Sequence, residues 1–201
     1  ADFTLNVTAT STEADGGDTA STVGSIAVSV DPDADAPTLN VADVAGLEDS
    51  AIALNITAGV TDDSESITDI TITGVPDGAA LSAGTENPDG SWTLSEAQLT
   101  GLTVTPAEHS DADFDLTIAV TSSDGASTST TTDTMTVDVS GVADAPTVAA
   151  SDATGAEDSG IALNISSAFV DTDGSESMTI TITGVPEGAA LNAGTSSVVD
   201  G

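Results

Sequence analysis

Lysine and arginine are absent from all 201 residues, against 34 aspartates and glutamates, giving a formal net charge of −34. No basic patch is available for nucleic acid or for an anionic membrane surface, so neither is an expected partner. Cysteine is also absent. That excludes disulfides and thiol chemistry, and an extracellular β-domain lacking them usually draws its stability from bound metal instead. Aromatic residues make up 2% of the chain, with no tyrosine and one tryptophan. Any core is therefore built from small aliphatics, whose burial per residue is modest. No run approaches the roughly 18 apolar residues of a membrane span. One histidine, His109, stands in the acidic loop AEHSDAD without a cysteine, lysine or arginine anywhere, which argues against an enzyme.

A charge this large opposes compaction. Yet 38% of the residues are hydrophobic, and they alternate with polar ones at period two, rich in Val, Ile, Thr and Leu. The pattern predicts strands at Thr38–Val44, Ala51–Ala58, Ile67–Gly74, Ala79–Ala83, Ser91–Leu94, Leu102–Thr105, Phe114–Ser122 and Asp133–Ser140, with one short turn at Ser95–Leu99. The turn chemistry of GVPDG (Gly74–Gly78), NPDG (Asn87–Gly90) and SDG (Ser123–Gly125) separates these runs. The fold expected is all-β: an antiparallel, Greek-key sandwich of immunoglobulin-like type. Inward positions are Ile52, Leu54, Ile56, Ile70, Ile72, Leu81, Leu94, Leu102, Val104, Leu116, Ile118, Val120, Met135, Val137 and Val139, with Trp92 read as core. For the chain to enter and leave at opposite poles the number of crossings must be odd, so Ala79–Ala83 is expected to be short and not to cross.

The sequence also repeats itself. Ile70–Thr85 (ITITGVPDGAALSAGT) returns 110 residues later as Ile180–Thr195 (ITITGVPEGAALNAGT), with 14 of 16 positions identical. ADAPT at Ala34–Thr38 returns at Ala143–Thr147, and EDS at Glu48–Ser50 returns at Glu157–Ser159. A repeat this long is a whole domain copied in tandem. The expected organisation is the end of one repeat at residues 1–33, a complete repeat at 34–143, and the start of the next at 144–201. This predicts a window from a longer array; strand sharing between molecules is the alternative.

The acids concentrate in predicted loops and linkers. Calcium takes six to eight oxygen ligands, which loops rich in carboxylates and carbonyls can gather. Candidate ligands form three recurring sets. The linker supplies Asp31, Asp33 and Asp35, echoed by Asp144. The turn before the second strand supplies Glu48 and Asp49, echoed by Glu157 and Asp158. The loop after that strand supplies Asp62, Asp63 and Glu65, echoed by Asp171, Asp173 and Glu176. In the expected sandwich this last loop faces the preceding linker, and Glu48 lies at the opposite pole. The competing reading is a solvated acidic surface of a salt-adapted protein. For Glu108, Asp111 and Asp113 the two readings stand even, while Glu13, Asp15 and Asp18 read as solvated.

Taken in order, ADAPTL, EDSAIALNI, DTDGSESMTITITGVPEGAALNAGT, DGSWTL, LTGLTVTP and ADFTLNVTATSTEADGGDTAST resemble the tandem cadherin-like or immunoglobulin-like repeats of giant bacterial RTX adhesins. The resemblance covers nearly the whole chain. It implies calcium-stabilised extender domains, exported by a type I system, that project an adhesive tip from the cell surface. It carries calcium ligation onto Asp171, Asp173 and Glu176, onto Asp62, Asp63 and Glu65, and onto the ADAP linkers. The copy at Asp62 lacks the glycine of DTDG, and the glycine-rich nonapeptide that names the family is absent. Expected partners are neighbouring repeats and calcium ions, with self-association into filaments as a further prospect. Two functions compete: a structural spacer, and a module binding a glycan, ice or its own kind, for which the Thr-rich run Ser127–Thr134 is the visible argument. That run is expected to be a loop leading into a solvated last strand.

Overall fold

Alternation of apolar and polar residues builds nearly everything in the molecule. The computed structural model describes residues 2–195, and among these the regular structure is strand apart from one 3-10 turn, Glu96–Leu99. Among the described residues no helix is long and apolar enough to cross a membrane. Residue 1 and residues 196–201 of the expected terminal segments lie outside the description. The chain divides into two units, Ala1–Val142 and Ala143–Gly201.

The first unit begins with β1 (Phe3–Thr12) and β2 (Thr19–Val28), an antiparallel hairpin registered from Phe3↔Val28 to Thr12↔Thr19. A sandwich follows, made of β3 (Thr38–Asn40), β4 (Val44–Leu47), β5 (Ile52–Ala53), β6 (Thr57–Gly59), β7 (Ser66–Thr73), β8 (Ala80–Leu81), β9 (Thr85–Glu86), β10 (Trp92–Leu94), β11 (Thr103–Thr105), β12 (Phe114–Asp124) and β13 (Ser127–Ser140). One layer has the order β4-β13-β12-β7-β10-β9. The other holds β5-β11-β8 and the pair β3-β6. Strands β5 and β6 belong to one extended run, and between them Leu54 N–H donates to the Leu102 carbonyl at 2.9 Å. The layers thus correspond to the two sheets of an immunoglobulin-type sandwich.

All fifteen residues expected to point inward are buried, and Leu99 joins them from the 3-10 turn. Trp92 is partly buried and packs against this cluster. The turn is held by Gln98, whose Oε1 accepts from Ser95 N–H at 2.8 Å and from Ser95 Oγ at 2.9 Å.

Several strand boundaries depart from the pattern, each for a physical reason. Thr38–Val44 is not one strand: β3 lies in one layer and β4 in the other. Between them Asp43 Oδ1 accepts Thr136 N–H at 2.9 Å, fastening the crossing chain to the far sheet. Gly46 permits the landing, since a Cβ there would sit 2.4 Å from Ile52 Cγ1. The predicted strand Ala51–Ala58 is interrupted at residues 54–56, and Ala79–Ala83 shrinks to the two residues of β8, registered against β11. The run Ser127–Thr134 is strand rather than loop, because β12 continues beside it as far as Asp124↔Ser127. On its other side, β13 pairs with β4 only from Val137 to Ser140. Asp133 lies opposite Ile118 with the same parity as buried Met135, yet is exposed. A bulge in β7 places Thr68 between the pairs Thr121↔Asp69 and Ser122↔Ile67. The later copy, reading SMTI where this one reads SITDI, is one residue shorter there.

The second unit carries β14 (Thr147–Ser151) and β15 (Asn164–Ala168), paired antiparallel. Its turns reproduce those of the first. Ala79 N–H donates to Pro76 O at 3.0 Å and Ala189 N–H to Pro186 O at 3.1 Å. Asp49 and Asp158 share a left-handed backbone, φ 54° and 58°. Burial does not repeat: Ile70 and Ile72 are 0% exposed, whereas their counterparts Ile180 and Ile182 are 54% and 42% exposed. Turn geometry follows from local sequence, while burial needs the partner strands β12 and β13.

Candidate cation sites at the poles of the sandwich

Strand direction sorts the acids. Strands β7 and β13 both start at the pole where the linker enters, and β13 ends at the pole where the chain leaves. Linker and loop therefore meet at the entry pole, as antiparallel pairing of β3 with β6 requires (Thr38↔Gly59).

At the entry pole Glu65 is buried. Its Oε1 accepts the Asp35 backbone N–H in a short hydrogen bond, and its Oε2 is buried with no hydrogen-bond partner among the described residues. The linker is tied down further by Ser122 Oγ, which donates to Asp35 O at 2.6 Å. Ala34 N–H donates to Ser127 Oγ at 3.1 Å, and that hydroxyl reaches Asp33 Oδ1 at 3.3 Å. Asp31, Asp33 and Asp35 are exposed, as are Asp62 and Asp63. Asp62 closes its own turn, accepting from Ser64 N–H at 2.7 Å and Ser64 Oγ at 2.9 Å. These bonds, the backbone one foremost, hold its carboxyl below the ordinary aspartate range.

The second unit repeats the glutamate contact. Glu176 Oε1 accepts Asp144 N–H at 2.5 Å, and Glu176 Oε2 is buried without a hydrogen-bond partner among the described residues. Asp171 is buried; its Oδ1 accepts Asp173 N–H at 2.8 Å, and Asp173 Oδ1 accepts Ser175 N–H at 2.8 Å. Glu157 and Asp158 are exposed.

At the exit pole Glu48 is 1% exposed. Its Oε1 accepts Val142 N–H at 2.6 Å, and its Oε2 is buried with no hydrogen-bond partner among the described residues. Asp111, which sequence reasoning left undecided, belongs here: a Cβ added to Gly141 would lie 3.6 Å from both Asp111 Oδ2 and Glu48 Oε1. Asp113 Oδ1 accepts Val139 N–H at 2.8 Å, so it has a bracing role. Asp49 Oδ1 accepts His109 N–H at 2.9 Å, and its Oδ2 lies 3.4 Å from His109 Nδ1. Glu108 is exposed, with Oε1 3.7 Å from His109 Nε2.

The chemistry of these clusters is uniform. Three glutamates, Glu48 and Glu65 buried and Glu176 half-buried, each satisfy one oxygen with a backbone N–H and bury the other without a donor among the described residues. A buried carboxylate oxygen lacking a partner is costly, and this chain has no lysine or arginine to supply one. Oxygen-only donor sets of this kind suit hard cations. Acidic groups that could hold a metal ion occur among the described residues, Glu48 and Asp49 at the exit pole belonging to them.

No family model matches the chain, and no curated protein matches it. Among solved structures it is similar to an endo-fucoidan hydrolase from glycoside hydrolase family 107, at 17% identity and a TM-score of 0.28, over 84% of this chain and 29% of that one. The chain spans less than a third of that protein's length, and so loose a superposition carries neither fold nor activity across.

Proposed function

We propose that these residues are spacer repeats of the stalk of a large extracellular bacterial adhesin, stiffened by calcium at loops and linkers. One observation carries this reading. The linker is fastened to the sandwich through Glu65, whose second oxygen is buried without a partner among the described residues, in a chain devoid of lysine and arginine. The repeat at Glu176 and Asp144 has the same contact and the same orphaned oxygen. A divalent ion supplies the missing charge and couples linker order to fold stability. The calcium ligands of this reading are Asp31, Asp33, Asp35, Asp62, Asp63 and Glu65 at entry, Glu48, Asp49 and Asp111 at exit, and Asp144, Glu157, Asp158, Asp171, Asp173 and Glu176 in the following copy. The reading is non-enzymatic, with export by a type I system, placement at the cell surface, and neighbouring repeats as partners.

Extracellular calcium modules bind with Kd of roughly 10⁻⁴ to 10⁻³ M. At about ten times Kd each site adds on the order of 1.4 kcal/mol, so two or three sites approach the stability of a small domain. Thermal unfolding followed by fluorescence of the sole tryptophan, Trp92, tests this. Calcium should raise the melting temperature steeply and EDTA should reverse it. Identical melting and identical scattering dimensions in the two conditions would refute the reading.

A second reading, a surface for a flat repetitive ligand such as a glycan, is supported by one feature. Thr85, Thr93, Thr71, Ala119 and Thr132 fall in register across β9, β10, β7, β12 and β13. Retention of the chain on immobilised glycans, lost on replacing Thr71 and Thr93 by aspartate, would favour it.

A further inference from the structure

Strand β4 follows the entering linker and β13 leads to the exit, yet the two are direct neighbours and run parallel, from Val137↔Val44 to Ser140↔Leu47. The other strand pairs among the described residues are antiparallel. Tension on the chain draws β4 toward the entry pole and β13 toward the exit pole. The two strands are then pulled in opposite directions along their own axes, and their evenly spaced hydrogen bonds are loaded together in shear.

Side chains and backbone lengthen this seam at both ends. Ahead of the first pair, Thr136 N–H donates to Asp43 Oδ1 at 2.9 Å. After the last, Glu48 N–H donates to Ser140 O at 3.0 Å, and Val142 N–H donates to Glu48 Oε1 at 2.6 Å. Upstream, Thr131 Oγ1 holds Pro37 O at 2.8 Å and Ser122 Oγ holds Asp35 O at 2.6 Å. The incoming segment is therefore stitched to β12 and β13 from Asp35 to Glu48. Gly46 lets the seam lie close over Ile52.

We propose that the β4–β13 seam is a mechanical clamp, which sets the force at which the repeat unfolds when pulled end to end. The proposal rests on the stalk reading only for the origin of the load; the clamp itself is a property of the sandwich. The absence of native cysteine allows pulling points to be chosen on the full 201-residue chain. Attachment through Val30→Cys and Ala143→Cys loads the seam in shear. Attachment through Ser50→Cys and Ala143→Cys peels β4 from β13 from one pole, one bond at a time.

In single-molecule force spectroscopy with calcium, rupture in the first geometry should require severalfold more force than in the second. Asp43→Ala should lower the end-to-end force and leave the peeling force unchanged, while Asp43→Asn, which keeps an acceptor for Thr136 N–H, should restore it. Equal forces in the two geometries overturn the clamp, as does an end-to-end force indifferent to Asp43→Ala. Repeating the series in EDTA separates the two ideas: direction dependence surviving with no calcium effect would sink calcium stiffening and leave the clamp standing.

Discussion

Val142 N–H donates a 2.6 Å hydrogen bond to Oε1 of Glu48, 94 residues earlier in the chain. The bond joins the point where the chain leaves the sandwich to the turn between β4 and β5. Glu65 does the same at the other pole, accepting from Asp35 at the point of entry. Both ends of the repeat are thus held by a glutamate that uses one oxygen for the backbone and buries the other.

Glu65→Gln separates the backbone contact from the charge. Glutamine retains an acceptor for Asp35 N–H and removes a buried negative charge that lacks a counter-charge in the chain. In EDTA the variant should melt higher than the parent, because a buried charge costs more than the buried amide that replaces it. In calcium it should gain less than the parent does. Parallel melts followed by Trp92 fluorescence measure both effects, and an undiminished calcium response would exclude Glu65 as a ligand.

Leu116 and Leu5 occupy equivalent places in two copies of the same strand, but Leu116 is 0% exposed and Leu5 48%. Leu116→Ala should cost about 2–5 kcal/mol, the usual range for a buried leucine. Leu5→Ala in the 201-residue chain should stay within about 0.5 kcal/mol of the parent. Urea denaturation with a common m-value distinguishes them.

Asp89 accepts from Ser91 Oγ at 2.7 Å and from Ser91 N–H at 3.1 Å. The hydroxyl bond first and the backbone bond second hold its carboxyl below the ordinary value of 3.8. A depressed acid supports the folded state fully above its unfolded pKa, and that support is lost as pH falls through the lower folded value. The β9–β10 turn should therefore stay closed at pH 4 and loosen only below the ordinary aspartate range. Carbon-13 titration of the Asp89 carboxyl should show a midpoint below 3.8, and Ser91→Ala should bring it back up.

The inward face of the strands, though not Leu99 on the 3-10 turn, was legible in the sequence, because parity along a half-buried strand leaves little choice of side. Ile52, Leu54, Ile56, Ile70 and Ile72 all follow from it. The sheet to which each strand belongs was not legible. The switch between β3 and β4 depends on Asp43 meeting Thr136, a contact across 93 residues. Gly46 was a signal in retrospect, since a glycine inside an apolar run often marks close backbone approach. Counting crossings brought the Asp62–Glu65 loop to the linker, but through Asp62 and Asp63; the contact is made by Glu65, while Asp62 closes its own turn on Ser64. Asp111 could not be placed, because its neighbour at the exit is Gly141, and only the pairing of β12 with β13 brings the two together.

Strand β4 pairs with the outer border of β13 only from Val137 onward, and ahead of that pairing, where only side-chain contacts tie the incoming segment down, Asp133 is exposed. At high local concentration exposed sheet borders zip into aggregates. A fixed negative charge on that border makes any two such borders repel before their backbones can mate. Protection of this border against such pairing is therefore served by an aspartate at a position whose parity calls for an apolar residue.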